Sequence, residues 1–193
     1  SQTVQQWLLE QGIEYPLIKG GYKAMRQFLL AQLDANIAQT NFVLIAGKTG
    51  TGKTRVIEAL PAAVDLEGRA AHRGSSFGQL LAPQPSQIDF ENLLSIDLLK
   101  LREAGHDTIF LEDEGHLIGQ RYLPKVLLDA MKEAPMLLVE QTLDERIDIV
   151  VADYVTDLGA RYLRAHGEEG KHLHRARLQE DLYRIRKRLG GER

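Results

Sequence analysis

The 193-residue sequence contains no cysteine. That excludes a disulfide framework, a thiolate metal site and a cysteine nucleophile within these residues. No apolar run approaches the length of a membrane span. The first residues, Ser1-Gln2-Thr3-Val4, lack the basic and apolar regions of a signal peptide. The expectation is a cytoplasmic protein with no membrane association. The six histidines (72, 106, 116, 166, 172 and 174) show no recognisable metal spacing. His172-Leu173-His174 aims its two imidazoles poorly for a helical metal site and reads as surface. Internal repeats are also missing.

What is present fits an ordinary globular domain, with 44% hydrophobic and 26% charged residues, in a chain long enough for one real core. The net charge of −3 hides an asymmetry. Residues 161–193 hold ten Lys/Arg against five acids, so this segment carries +5 and the remainder −8. A basic end on an acidic body points to a polyanionic partner. A solvated, salt-bridged helix explains the same composition equally well.

One octapeptide dominates the reading: Gly47-Lys48-Thr49-Gly50-Thr51-Gly52-Lys53-Thr54. It fits G-x-x-x-x-G-K-[ST], the phosphate-binding P-loop. The apolar run Phe42–Ala46 precedes it and a helical stretch, Arg55 to Leu60, follows. In that setting the glycines turn backbone N–H groups inward around an anion. Lys53 reaches the outer phosphates and the Thr54 hydroxyl meets Mg²⁺. The motif alone is consistent with ATP or GTP.

From Asn41 onward strands and helices alternate, which predicts an α/β fold with a parallel sheet flanked by helices. Strands are expected at Phe42–Ala46, Ala63–Leu66, Thr108–Leu111 and Met136–Glu140. Helices are expected at Ser86–Arg102, which opens on a Ser86/Asp89 capping box, from Pro124 to about Glu133, from Leu143 to about His166, and from Lys171 to Leu189. Residues 3–35 read as helix, short strand (Tyr15–Ile18), Gly20-Gly21, helix. The stretch His72–Gln87 is the one long loop, and such loops are often functional.

A P-loop enzyme also needs an acid at the end of an apolar strand to hold Mg²⁺. Here Thr108–Leu111 runs into Glu112-Asp113-Glu114. Glu112 aligns best with the metal-side acid and Asp113 is the alternative. Ligands of open α/β sheets bind beyond the carboxyl ends of the strands. That rule selects Asp65, as a candidate base or acceptor orienter, though a plain loop charge fits as well. It also selects Arg73, which can fork onto a phosphate, and Ser75 and Ser76, which can hydrogen-bond one. Arg146, opening a helix near the same edge, can touch phosphate charge or simply pair with Glu145 or Asp148. Tyr154, Tyr162 and Tyr183 interleave with basic residues and suit either base stacking or the core.

Several segments together resemble the tRNA 2-selenouridine synthases, also called tRNA 2-thiouridine selenotransferases. They are Gly47–Thr54, Val64-Asp65-Leu66-Glu67-Gly68 leading into His72-Arg73-Gly74-Ser75-Ser76-Phe77-Gly78, Gln84-Pro85-Ser86-Gln87, and Leu111-Glu112-Asp113-Glu114 with Ile118-Gly119. The resemblance implies a rhodanese-like domain fused to a P-loop domain. Residues 1–36 then read as the last part of the rhodanese-like domain, 37–160 as the P-loop domain and 161–193 as a basic helical segment. The family's selenium-carrying cysteine would lie in the missing part of the rhodanese-like domain. The resemblance further implies action on wobble 2-thiouridine in the tRNAs for lysine, glutamate and glutamine. The sulfur is first geranylated from geranyl diphosphate and then replaced with selenium from selenophosphate. On this reading Lys53, Asp65, Arg73 and Asp113 act in catalysis. Phe77 and Leu80-Leu81 receive the prenyl chain, and Mg²⁺ sits at Thr54 with Glu112 or Asp113. Two other classes fit the P-loop: a small-molecule or nucleoside kinase, and a nucleotide-gated RNA-binding module.

Overall fold

In the computed structural model, which describes residues 2–186, the P-loop follows a strand buried along most of its length. This strand, β1 (Asn41–Ala46), is apolar from Phe42 onward. It pairs in parallel with β3 (Thr108–Glu112) on one side and β6 (Met136–Leu138) on the other. β2 (Ala63–Val64) adds to the far side of β3, giving the order β2-β3-β1-β6. Strands that run as continuous Ile, Leu and Val rather than alternating need cover on both faces, as parallel sheets do.

Helices supply that cover. α5 (Gln87–Glu103) starts at Ser86, whose hydroxyl accepts the Asp89 N–H at 3.1 Å and donates to the Asp89 carboxylate at 2.7 Å. Its Phe90, Leu94 and Leu98 are at most 1% exposed. They meet Leu44, Ile109 and Leu111 of the sheet in one core. α2 (Gly21–Ala38) lies along α5 and puts Leu33 and Ile37 into that core. Polar contacts fix the pair: Arg26 bridges Glu91 and Asn92, and the Ser95 hydroxyl donates to the Leu29 carbonyl at 2.6 Å. α6 (Lys125–Glu133), opened by Pro124, buries Leu127 and Met131 in the same cluster. α1 (Gln2–Glu10) has no buried residue.

Four details depart from the sequence expectation. Tyr15–Ile18 form no strand, because no described strand offers them a ladder, and Tyr15 is 63% exposed. β2 is two residues long rather than four. Asp65 caps the short α4 (Leu66–Arg69), accepting the Gly68 N–H at 2.6 Å, and so ends the strand. A small hairpin, β4 (Leu117–Ile118) with β5 (Arg121–Tyr122), has strands too short to show an alternating pattern. The expected long helix is α7 (Leu143–Val150) and α8 (Leu158–His166), joined by a π-helical stretch at Val151–Asp157. α9 (Glu169–Ile185) follows. The expected end of that last helix, at Leu189, lies outside the described residues.

Among the described residues, no helix is long and apolar enough to cross a membrane. Phe90 touches both the sheet side and the helix side of the core and is fully buried. Phe90→Ala should therefore lower stability by about 3–5 kcal/mol, read as a fall in the urea midpoint with an unchanged slope.

Candidate functional site

The parallel register sets Ile45 of β1 opposite Glu112 of β3. The P-loop and the acid after β3 thus leave the sheet side by side. In the loop, Gly50 has φ +83°, and a Cβ there would lie 2.7 Å from the Arg146 carbonyl oxygen. Only glycine suits both demands. Thr51 is buried and donates to the Lys48 carbonyl at 2.9 Å. α3 (Lys53–Ala59) begins within the motif, and the Lys53 ammonium donates to the Gly47 carbonyl at 3.0 Å.

The loop opens into a cleft of about 370 Å³. Thr49 to Arg55 form one wall, and Asp65, Glu67, His72, Arg73, Gly74, Ser75 and Leu80 another. Glu114, Ile149, Asp153, Tyr154 and Arg161 complete it. The cleft therefore brings together Thr49, Gly50, Thr51, Gly52, Lys53, Thr54, Asp65, Arg73 and Ser75. Gly47 contributes its carbonyl to Lys53. Asp113 and Ser76 are exposed and outside the lining. Arg146 is also outside it: its Nε donates to the Thr49 carbonyl at 3.0 Å and braces the P-loop from behind. His72 lines the cleft with Nδ1 buried and unpaired, and burial holds its pKa below the usual histidine value.

Glu112 is fully buried behind Thr54 and is not itself among the residues that line the cleft. It accepts the Thr54 hydroxyl at 3.3 Å and the Glu67 backbone N–H at 2.9 Å. Thr54 also reaches Glu67 at 3.4 Å. Desolvation, reinforced by the charges of Glu67, Asp65 and Glu114, raises the Glu112 pKa to about 8 against the opposing Glu67 hydrogen bond. Desolvation and Glu67 raise Glu114 to about 7. Carboxylates displaced upward together mark a place that favours a cation. Of the two acids proposed from sequence for a metal, only Glu112 meets Thr54. Among the described residues, no group of three His, Asp or Glu could hold a metal unaided. A threonine hydroxyl with one or two carboxylates is instead the partial set that Mg²⁺ uses when phosphate oxygens and water complete its shell.

The wall opposite the P-loop is the 72–78 loop. Arg73 N–H donates to Gly78 O at 2.8 Å, Gly78 N–H to Ser75 O at 2.9 Å, and Gly74 N–H to Glu67 at 2.5 Å. A Cβ on Gly78 would collide with the Arg73 carbonyl, so the turn needs glycine there. The π-helical stretch clamps this loop. Its Tyr154 hydroxyl shares a 2.7 Å hydrogen bond with Ser75, and its ring lies 5.2 Å from the Arg73 guanidinium. Asp153 pairs with Arg73 at 3.0 Å and Asp157 does so at 3.5 Å. Phe77, expected beside a prenyl chain, packs edge-on against Tyr154, while Leu80 lines the cleft itself.

Sequence reasoning missed Glu67, Glu114, Asp153 and Tyr154 as parts of one site. Glu67 and Glu114 lay inside motifs already singled out. The extra residue per turn in a π-helix, which aims Asp153 and Tyr154 together, has no signature in the residue pattern. The basic segment is partly structural, since Arg177 and Arg184 pair with the buried Asp181. Arg161 stands at the cleft.

The raised Glu112 pKa fixes a sign. The native state holds this proton more tightly than the unfolded chain, so its stabilisation is full below the ordinary value of 4.5 and is lost as pH rises through about 8. In metal-free buffer the urea midpoint should fall across that window. Glu112→Gln should flatten the fall and be the more stable form at the alkaline end, by on the order of a few kcal/mol.

A family model described as "tRNA 2-selenouridine synthase AAA domain" matches residues 40–193. Proteins named tRNA 2-selenouridine synthase are similar along the whole chain. The Marinobacter nauticus protein is 53% identical over 194 residues, 100% of this chain and 53% of that protein. The Pseudomonas fluorescens (strain Pf-5) protein is 52% identical over 193 residues, with the same coverage. The Cupriavidus pinatubonensis protein is 49% identical over 195 residues, again 100% and 53%. The chain thus spans about half the length of the relatives it matches. No solved structure matches it.

Proposed function

The chain belongs to the tRNA 2-selenouridine synthase family, and from that premise we propose that its cleft holds the diphosphate of geranyl diphosphate while the sulfur of a tRNA 2-thiouridine is alkylated. The observation that carries this reading is the meeting, in one cleft, of a P-loop, four cationic side chains (Lys53, Arg55, Arg73 and Arg161), the apolar Leu80 and Ile149, and Thr54, whose hydroxyl reaches the buried Glu112 behind it. The thiouridine sulfur forms a bond to C1 of the geranyl group. The C1–O bond breaks, its electron pair leaves with the diphosphate, and the base gives up its N3 proton. The demand on the protein is to stabilise charge growing on the leaving group. The inward N–H groups of the P-loop and Lys53 bind that charge. Arg73, held now by Asp153 and Asp157, is within the same cleft to share it.

Mg²⁺ fits the donors present: the Thr54 hydroxyl and Glu112 would hold it, and it would supply further neutralisation of the diphosphate. Asp65 serves by position, since it caps α4 and so sets Glu67 against Glu112. Asp113 lies outside the cleft and its part is at most peripheral. Selenophosphate then supplies the selenium that replaces the geranylthio group, and a rhodanese-like domain carries it. The tRNA backbone docks along the basic segment that starts at Arg161. The tRNAs for lysine, glutamate and glutamine are the substrates on this reading.

A kinase using ATP would need a free acid to orient the acceptor. Asp65, the residue placed for it, is engaged with Gly68, which weighs against that alternative. Calorimetry distinguishes them. Geranyl diphosphate should bind in the presence of Mg²⁺. Lys53→Ala should weaken it by about 10- to 100-fold, the worth of a charged hydrogen bond. Binding of ATP with none of geranyl diphosphate would overturn the proposal.

A further inference from the structure

β6 is built like an interior strand and sits at the edge of the sheet. Its residues, Met136-Leu137-Leu138, are apolar without a break, the pattern of a parallel strand covered on both faces. Yet they are 54%, 53% and 65% exposed, and since neighbours along a strand point to opposite faces, both faces are bare. Among the described elements, β1 is its one extensive packing partner. Pro135 O accepts from Leu44 N at 2.9 Å and Val139 N donates to Ala46 O at 2.8 Å, so these residues turn their backbones toward β1. By alternation, Met136 and Leu138 turn their N–H and C=O outward, where no described strand meets them. The helix that follows continues the feature. Leu143, Ile147, Val151 and Val155 recur every fourth residue and are 46–67% exposed. An exposed apolar edge of this kind is a liability that proteins cover, charge or shorten, and β6 carries no charge.

We propose that the edge of β6 is completed by a further parallel β-strand, brought with its crossover helix, from the part of the family's polypeptide that lies outside these 193 residues. The matched relatives are nearly twice as long as this chain. A crossover and a strand need only some dozen residues or more, so the length is ample. A second copy is the weaker occupant. Pairing β6 with another β6 would satisfy the outward N–H and C=O groups. It would bring up a strand equally bare, leaving both apolar faces uncovered, whereas a crossover carries its own helix onto the sheet. The added strand also bears on the site, because the Val139 carbonyl abuts Gly47 at the start of the P-loop, 2.7 Å from where a Cβ would stand. The edge of β6 is bare whichever phosphate the cleft holds.

Hydrogen exchange on the 193-residue chain and on the full-length Marinobacter nauticus relative tests it, with sedimentation to set the oligomeric state. The amides of Met136 and Leu138 should exchange rapidly in the 193-residue chain. Their counterparts in the monomeric relative should be slowed by about two orders of magnitude or more. A charge placed at Leu138 (Leu138→Lys) should leave the melting temperature of the shorter chain unchanged and lower that of the relative. Rapid exchange in both proteins overturns the proposal. Protection that appears only with dimerisation in either protein also overturns it, and assigns the edge to a second copy.

Discussion

Parallel pairing of β1 with β3 brings Ile45 level with Glu112, and this registry governs the cleft. It places the P-loop directly beside the strand that carries the acid, with no strand between them. Thr54, one residue into α3, then falls within reach of Glu112, and Glu67 closes over the same carboxylate through its backbone N–H. A slip of one residue would turn Glu112 toward the other face of the sheet. The core enforces the registry: Leu44, Ile109 and Leu111 all enter one cluster with Phe90, Leu94 and Leu98 of α5.

Burying a carboxylate at that junction is costly, and its surroundings make it more so. Glu67, Asp65 and Glu114 add negative charge, while Lys53 is committed to the Gly47 carbonyl. These charges would suit a cation and an anion bound together. Mg²⁺ would relieve the carboxylates, and a diphosphate would complete the metal's shell and draw Lys53. Arg73 shows the same logic on the opposite wall, where two aspartates and the Tyr154 ring hold it at the rim. A ligand phosphate would compete with those aspartates for the guanidinium.

Much of this was legible in the sequence because local rules carried it. The P-loop declares itself by glycine spacing, Ser86 and Asp89 announce the start of α5, and apolar runs mark β1 and β3. The sequence already aligned Glu112 better than Asp113 with the metal-side acid, but the two could be separated only once the hydrogen bond from Thr54 to Glu112 was known. What stayed hidden depends on long-range geometry. Tyr15–Ile18 has strand-like residues but no partner strand. Asp65 reads as a strand-end acid, whereas its hydrogen bond to Gly68 makes it a helix cap. The π-helical stretch that aims Asp153 and Tyr154 at Arg73 leaves the spacing of apolar residues unchanged. Residues 1–36 read as part of a preceding unit, yet Leu33 of α2 packs in the same core cluster as the sheet.

The central proposal is that the cleft holds a diphosphate while a thiolated tRNA base is alkylated. Mass spectrometry of nucleosides from 2-thiouridine tRNA, incubated with this chain, geranyl diphosphate and Mg²⁺, tests it most directly. The account predicts the mass of one geranyl group on the wobble nucleoside, absent when Lys53 is replaced with alanine. Unmodified tRNA alongside a chain that transfers phosphate from ATP would contradict it.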